Sequence, residues 1–300
     1  MILPLRIVFL CVAVSTATFA QPPQSLIREF HNQKGALIGH VLVQRDSTPT
    51  TSTHDFTLVN NLGDTVRGSI RVPTAHGGKY PVAVLVVGLE TGKEVVKMIE
   101  GYNSVIVVAF DYPYAGRLDF SGWNAVKTVF ALRDAGFKTV SQILLSLDWI
   151  FEHPLADTSD VTIVAVSFGV FTAVPAAVIE KRVKRLVVVQ AGGNLSTVVA
   201  ANAERLEMPL PSWLAGWLGS VILAPFEPNR YIAAFSPRPV LIVSGKSDML
   251  FPRASVQSLY DHARRPKEWI LHSSRHVMPG ERELINELTQ LVAQRLYGWR

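Results

Sequence analysis

Short apolar runs alternate with segments of helical periodicity along most of the chain. The runs predicted as central strands are Val82–Val87, Ser104–Phe110, Val161–Val166 and Arg185–Gln190. They are rich in valine and isoleucine and lack polar alternation, which is typical of strands that helices cover on both faces. Two further runs, Val240–Ser244 and Trp269–His272, are placed toward one edge. The alternation predicts an α/β fold with a mostly parallel central sheet.

Three segments add to this pattern. Phe56–Pro73 reads as two strands joined by an Asn/Gly/Asp turn, and apolar residues at helical spacing near the C-terminus predict a final helix docked on the sheet. Residues 194–226 interrupt the strand rhythm with two predicted helices, a possible small cap. Trp213 and Trp217 on the second helix are candidates for lining a substrate pocket, or alternatively for packing the cap onto the body.

The composition fits one large globular domain. The chain has 300 residues, of which 48% are hydrophobic and 18% charged, so we expect a single domain over residues 52–300 preceded by an N-terminal extension at 21–51. The formal net charge is +5, but the one tight basic cluster, Lys181–Arg185, lies between a predicted helix and a strand. It is interpreted as a solvated connection, and no nucleic-acid partner is expected.

The first 20 residues are typical of a secretory signal peptide. One basic residue precedes an apolar run, Ile7–Ala20, that is shorter than the ~20 residues of a membrane-spanning helix. Cleavage after Ala17 or Ala20 would remove Cys11, the only cysteine. We therefore expect a secreted or periplasmic protein without disulfides, and membrane association only if the segment stays uncleaved as an anchor.

Residues suited to nucleophilic catalysis follow three of the predicted strands. Ser167 ends the strand in Asp160–Gly169 and precedes an apolar helix, Asp248 follows Val240–Ser244, and His276 follows the next strand. Because the carboxyl ends of parallel strands meet at one sheet edge, the three form a candidate triad. A serine hydroxyl needs a neighbouring imidazole to take its proton, and a carboxylate orients that imidazole. His272 is the rival base, but it falls inside a predicted strand.

These residues resemble the α/β-hydrolase superfamily, nearest its dienelactone hydrolase-like and acyl-esterase-like serine hydrolases. Ala165–Gly169 is similar to the G-x-S-x-G nucleophile elbow, with Ala165 adding one methyl at the first glycine, and the order Ser, Asp, His is that of the superfamily. Residues 56–73 resemble the opening hairpin of that branch and 79–88 its first central strand, and the likeness covers about residues 52–300.

The resemblance implies further site residues. The backbone amides of Phe168 and Leu89 would form the oxyanion hole, and Tyr112, in a loop at the same edge, would border the substrate. Members commonly carry His-Gly where this chain has Val87-Gly88. Dienelactone hydrolase itself resembles a cysteine enzyme, so the serine favours an esterase.

The predicted function is a secreted serine hydrolase that cleaves small-molecule carboxylic esters through an acyl-enzyme. One alternative is a peptidase related to the prolyl-oligopeptidase branch. Another is a catalytically silent α/β-hydrolase that serves as a binding scaffold. The eight histidines are scattered and no H-E-x-x-H pair or phosphate-binding glycine loop occurs, so neither a metal nor another cofactor is expected.

Overall fold

A computed structural model describes residues 22–75, 77–114, 116, 118–122 and 124–298. The segment predicted as a signal peptide, with Cys11, lies outside the described residues. Within these ranges no helix is both long and apolar enough to cross a membrane.

The described strands form one nine-stranded sheet with the order β1-β2-β3-β5-β4-β6-β7-β8-β9. The strands are β1 (Leu37–Ser47), β2 (Thr51–Asn60), β3 (Thr65–Pro73), β4 (Tyr80–Val86), β5 (Ile106–Phe110), β6 (Ala156–Val166), β7 (Arg185–Val189), β8 (Val240–Gly245) and β9 (Lys267–His272). β1, β2 and β3 pair antiparallel and β3 pairs antiparallel with β5, whereas the pairs from β5 through β4 to β9 are parallel. The mostly parallel sheet, its four central strands and the 56–73 hairpin are confirmed.

Helices cover both faces of this sheet. They are α1 (Gln24–Lys34), α2 (Asn124–Phe151), α3 (Val170–Ile179), α4 (Leu195–Asn202), α5 (Ser212–Ile222), α6 (Arg253–His262) and α7 (Arg282–Gly298). Alternate residues of β4 show the two layers: Val84 packs with α2 and α3 in one core, and Leu85 packs with Leu288 and Val292 of α7 in the other. Both faces of the central strands are therefore buried, which explains their unbroken apolar sequences.

The N-terminal part of the described chain belongs to the same body. Phe30 of α1 is fully buried, with its ring centroid 5.4 Å from that of Phe137 on α2. β1 then pairs with β2 along most of its length. The expectation of an extension over 21–51 outside the domain is therefore corrected. β1 is an edge strand whose apolar residues, Leu37, Ile38 and Val41–Val43, are mostly exposed, and Gly39 and His40 interrupt them.

Candidate active site

Ser167 occupies a strained turn between β6 and α3. Its φ of +53° lies in the left-handed region that residues with a side chain seldom adopt, and a short 3₁₀ turn, Ser167–Gly169, leads from it into α3. A Cβ at Gly169 would lie 2.0 Å from the carbonyl oxygen of Val86 on β4. Gly169 is thus the residue that lets the turn pass against the sheet. Ala165, the departure from the glycine pattern, is fully buried in the core.

The structure brings Ser167, His276 and Asp248 together in one hydrogen-bonded relay. Ser167 Oγ lies 2.8 Å from His276 Nε2, and His276 Nδ1 lies 2.8 Å from Asp248 Oδ2. The rival base His272 is on β9, where its Nε2 lies 3.9 Å from a carboxylate oxygen of Glu287 on α7. Only one of the two candidate histidines therefore reaches the serine.

The acid and the imidazole are held on several sides. Asp248 Oδ1 accepts hydrogen bonds from the amides of Leu250 (2.9 Å) and Phe251 (3.0 Å), which leaves Oδ2 for the histidine. The Phe251 ring stacks on His276 with 5.9 Å between centroids and 15° between planes. The side chains of His276 and Asp248 are only 8% and 2% exposed. The imidazole is therefore fixed in orientation, as its role as proton carrier requires.

Gln190 is a site residue that the sequence interpretation missed. It ends β7 with a φ of +48°, is fully buried, and faces the loop that carries His276. Its Nε2 donates to Ser274 Oγ (2.9 Å) and to the carbonyl of Arg275 (2.8 Å), while its Oε1 accepts from the amide of Val277. The side chain thereby ties the loop on both sides of the histidine. A polar residue closing an apolar strand was the one available signal.

Phe168 and Leu89 lie beside the serine, as the resemblance implied. Both line the same two cavities as Ser167. The amide of Phe168 belongs to the first turn of a helix, where N–H groups have no partner within the helix. Leu89 follows β4 on the loop that begins at Val87. An anion placed above Ser167 would thus meet a helix N-terminus, which favours negative charge.

Tyr112 shapes that loop as well as bordering a cavity. Its hydroxyl donates a hydrogen bond to the carbonyl of Val87, and its ring packs edge-on against Phe168 with 6.2 Å between centroids. Burial raises the pKa of the phenol above its ordinary value, opposed by a hydrogen bond with Thr172. The phenol therefore stays protonated and keeps its donor role toward Val87.

The segment after Leu89 is tied to the sheet by an ion pair. Lys93 Nζ lies 2.9 Å from Asp55 Oδ2 of β2, and Ser69 Oγ donates to the same carboxylate at 2.6 Å. Partial burial raises the pKa of Asp55, but hydrogen bonds from Ser69, Lys93 and Arg45 outweigh it and lower the value to about 2. The carboxylate is therefore ionised at all but strongly acidic pH.

The prediction that the two cap tryptophans line a substrate pocket is corrected by the structure. The segment 194–226 does hold two helices, α4 and α5, but Trp213 and Trp217 are 70% and 56% exposed and neither is among the described residues that line a cavity. The inner face of α5 carries smaller residues instead, among them Ala215 and Gly219. Helical spacing identifies residues that share a face, but it does not tell which face turns inward.

Two cavities meet at Ser167. The larger, about 710 Å³, lies among α2, α4, α5 and the start of α3 and is here named the cap cavity. The smaller, about 390 Å³, runs between α7 and the sheet from His276 toward Arg185 and is named the α7 groove. Ser167, Phe168, Leu89 and Leu250 line both. No group of three or more potential metal-ligating side chains occurs in the described ranges.

Solved structures share this fold over nearly the whole chain. Acetyl xylan esterase 1 from Thermoanaerobacterium sp. JW/SL YS485 aligns with a TM-score of 0.65 and 13% identity, covering 91% of this chain and 95% of that one. The acetyl xylan esterase from Paenibacillus sp. R4 aligns with a TM-score of 0.65 and 17% identity, covering 89% of this chain and 92% of that one. A cold-adapted esterase from an Arctic intertidal metagenomic library aligns with a TM-score of 0.59 and 19% identity, covering 86% of this chain and 99% of that one.

At these identities the likeness concerns the fold alone, and together with the sheet described above it shows that the chain has the α/β-hydrolase fold. The family model of serine hydrolase (FSH1) matches residues 182–288, a range that includes Asp248 and His276. A search of curated proteins found no match. The chain thus has the α/β-hydrolase fold, and the part of it that carries Asp248 and His276 is similar to a serine hydrolase domain.

Proposed function

We propose that this protein hydrolyses carboxylic esters of small molecules through an acyl-enzyme intermediate. The observation that carries the proposal is the relay Ser167–His276–Asp248, with both hydrogen bonds at 2.8 Å. It stands at the carboxyl edge of the parallel strands, where this fold presents its nucleophile. The matched serine hydrolase model and the esterases that share the fold support the same reaction class.

In the first half-reaction, Ser167 Oγ attacks the ester carbonyl carbon while His276 Nε2 takes the hydroxyl proton. The carbonyl oxygen becomes an oxyanion that the amides of Phe168 and Leu89 stabilise, and loss of one such donor typically costs about 100- to 1000-fold in rate. The C–O bond to the alcohol then breaks, and the histidine gives its proton to the departing oxygen. An acyl-serine and a free alcohol result.

In the second half-reaction, water attacks the acyl carbon and gives a proton to the same imidazole. The oxyanion forms again at the two amides, the acid departs, and the proton returns to Ser167 Oγ. Asp248 orients the imidazole through Nδ1 and stabilises the imidazolium in both half-reactions. The reaction consumes one ester and one water and releases one alcohol and one acid.

A fluorophosphonate probe and p-nitrophenyl acetate test this proposal. The parent should be labelled at one serine and should release p-nitrophenol, whereas Ser167→Ala should lose labelling and about 10⁴-fold or more in kcat. Ser159→Ala, at an exposed position on the same strand, is the matched control and should behave as the parent. A parent that is folded yet neither labelled nor active would favour the silent-scaffold alternative, and cleavage of peptides without esters would favour the peptidase.

We also propose export with removal of the N-terminal segment. The supporting observation is its sequence, a basic residue followed by a short apolar run and small residues before Gln21. The mature protein recovered outside the cytoplasm should begin at Gln21 or Thr18. Recovery of the intact N-terminus in the membrane fraction would instead favour an uncleaved anchor.

A further inference from the structure

We infer that the substrate is an ester with two apolar sides, its acyl chain in the cap cavity and its alcohol portion in the α7 groove. This inference rests on the proposed function and adds the substrate class to it. Its basis is that two separate spaces converge on one nucleophile, both lined by Ser167, Phe168 and Leu89. An enzyme for acetate esters alone would need room on only one side of the serine.

The position of His276 decides which space receives which part. The departing alcohol oxygen takes its proton from His276 Nε2, so the alcohol portion must lie on the side of the imidazole. Among the described residues, His276 and its successors Val277 and Met278 line the α7 groove and do not line the cap cavity. With the oxyanion directed at the amides of Phe168 and Leu89, the acyl carbon chain is left facing the cap cavity.

The cap cavity has the size and chemistry for an alkyl chain. Its wall is formed mainly by aliphatic and aromatic side chains, including Val129, Phe171, Val198, Leu218, Ile222 and Phe226. Its volume of about 710 Å³ is several times the roughly 150 Å³ of an apolar cavity that holds one benzene. A chain of many carbons therefore fits without displacing the cap.

The α7 groove is also mainly apolar, although Glu90, Thr91 and Thr289 belong to its lining. Val95, Met98, Val164, Leu288, Val292 and Leu296 contribute to its walls. The charged residues at its far end, Asp160 and Arg185, form an ion pair with each other. A polyhydroxylated alcohol would lose water there without enough partners for its hydroxyls, at a cost of about 1–3 kcal/mol for each unpaired group. The groove therefore favours an alkyl or aryl alcohol over a sugar.

Two ester series test the assignment on the full protein. In p-nitrophenyl esters from acetate to decanoate, kcat/KM should rise by up to about fourfold for each added CH₂, the factor expected for burial of one methylene. In acetates of straight-chain alcohols from methyl to octyl, the same rise should appear. An enzyme that labels with fluorophosphonate and cleaves acetate, yet shows no rise in either series, would overturn the inference.

Matched substitutions separate the two spaces. Ile222→Trp fills the cap cavity and should lower the decanoate-to-acetate ratio of kcat/KM by about 60-fold, the methylene factor to the power of three. Ala293→Trp fills the α7 groove and should lower the octyl-to-methyl ratio similarly. Their neighbours Val221→Trp and Gln294→Trp are exposed and should leave both ratios as in the parent.

The pattern across variants decides the result. If Ile222→Trp lowered the octyl-to-methyl ratio and Ala293→Trp the decanoate-to-acetate ratio, the assignment would be reversed and the inference overturned. Leu218→Trp, which also faces the cap cavity, replaces Ile222→Trp if that variant does not fold. Absence of both labelling and ester turnover in the parent would refute the proposed function itself, and the inference with it.

Discussion

Substitution of Gln190 by methionine tests whether this buried amide positions the catalytic histidine. Methionine has a similar length but cannot replace the three hydrogen bonds to Ser274, Arg275 and Val277. At about 1 kcal/mol for each, we expect the free energy of unfolding to fall by about 3 kcal/mol. A domain stabilised by about 5–15 kcal/mol remains folded after that loss.

The same substitution should also lower the catalytic rate of the protein that remains folded. His276 stands between the two backbone groups that Gln190 holds, and a misplacement of about 1 Å in a reacting group can cost about 100-fold in rate. Gln190 lines neither cavity among the described residues, so substrate binding should change little. We therefore expect kcat for p-nitrophenyl acetate to fall about 100-fold while KM stays within about threefold.

Gln142→Met is the matched control. Gln142 is also a buried glutamine, but it donates one hydrogen bond, to the carbonyl of Thr65 at 3.2 Å. Its substitution should cost about 1 kcal/mol of stability and leave kcat unchanged. Both variants are assayed well below their Tm, so that unfolding does not contribute. If kcat of Gln190→Met stays within twofold of the parent there, Gln190 is merely structural and the positioning argument is refuted.

Three further changes test the site and its support. His276→Gln should lower kcat about 10⁴-fold, whereas His272→Gln should keep it, and the opposite result would transfer the base to His272. Gly169→Ala places a methyl 2.0 Å from the Val86 oxygen, so unfolding by urea should reveal a loss of about 3 kcal/mol, and an unchanged midpoint would contradict that contact. Asp55 has a pKa of about 2, below its ordinary 3.8, so its contribution to stability is present above about pH 4 and lost as the pH falls toward 2. Melting temperatures should therefore fall less between pH 4 and 2 in Asp55→Asn than in the parent, and parallel curves would contradict this linkage.

The central sheet was predictable because burial on both faces leaves a strong mark in the sequence. β4, β7 and the second half of β6 are apolar runs rich in valine and isoleucine, which favours buried strands over buried helix. β1 also carries apolar residues, Leu37, Ile38 and Val41–Val43, but Gly39 and His40 interrupt them and most are exposed at the sheet edge. Its place in the sheet follows from pairing with β2, a contact that local composition does not encode.

The triad was predictable for a related reason, and the rest of the site was not. Ser167, Asp248 and His276 each follow a recognisable strand, so strand order alone brings them to one edge. The inward face of α5 depends instead on how the cap docks, and both of its faces carry apolar residues. The cavities arise from that docking and from the position of α7, which involve residues far apart in the chain.

The strand order also explains why a residue like Gln190 is needed. β6, β7, β8 and β9 are consecutive neighbours, so the histidine loop that leaves β9 must pass over the ends of β8 and β7 to reach Ser167 beyond β6. Neighbouring strands lie about 4.8 Å apart. The loop backbone therefore crosses two such spacings, from β9 over β8 to β7, without a neighbouring strand to pair with. Its buried N–H and C=O groups then require a side-chain partner, and the end of β7 lies directly beneath them. Gln190 offers both a donor and an acceptor at that point, which a purely apolar strand end could not. The strand order that assembles the triad therefore also leaves backbone groups of the histidine loop that a buried side-chain amide must hydrogen-bond.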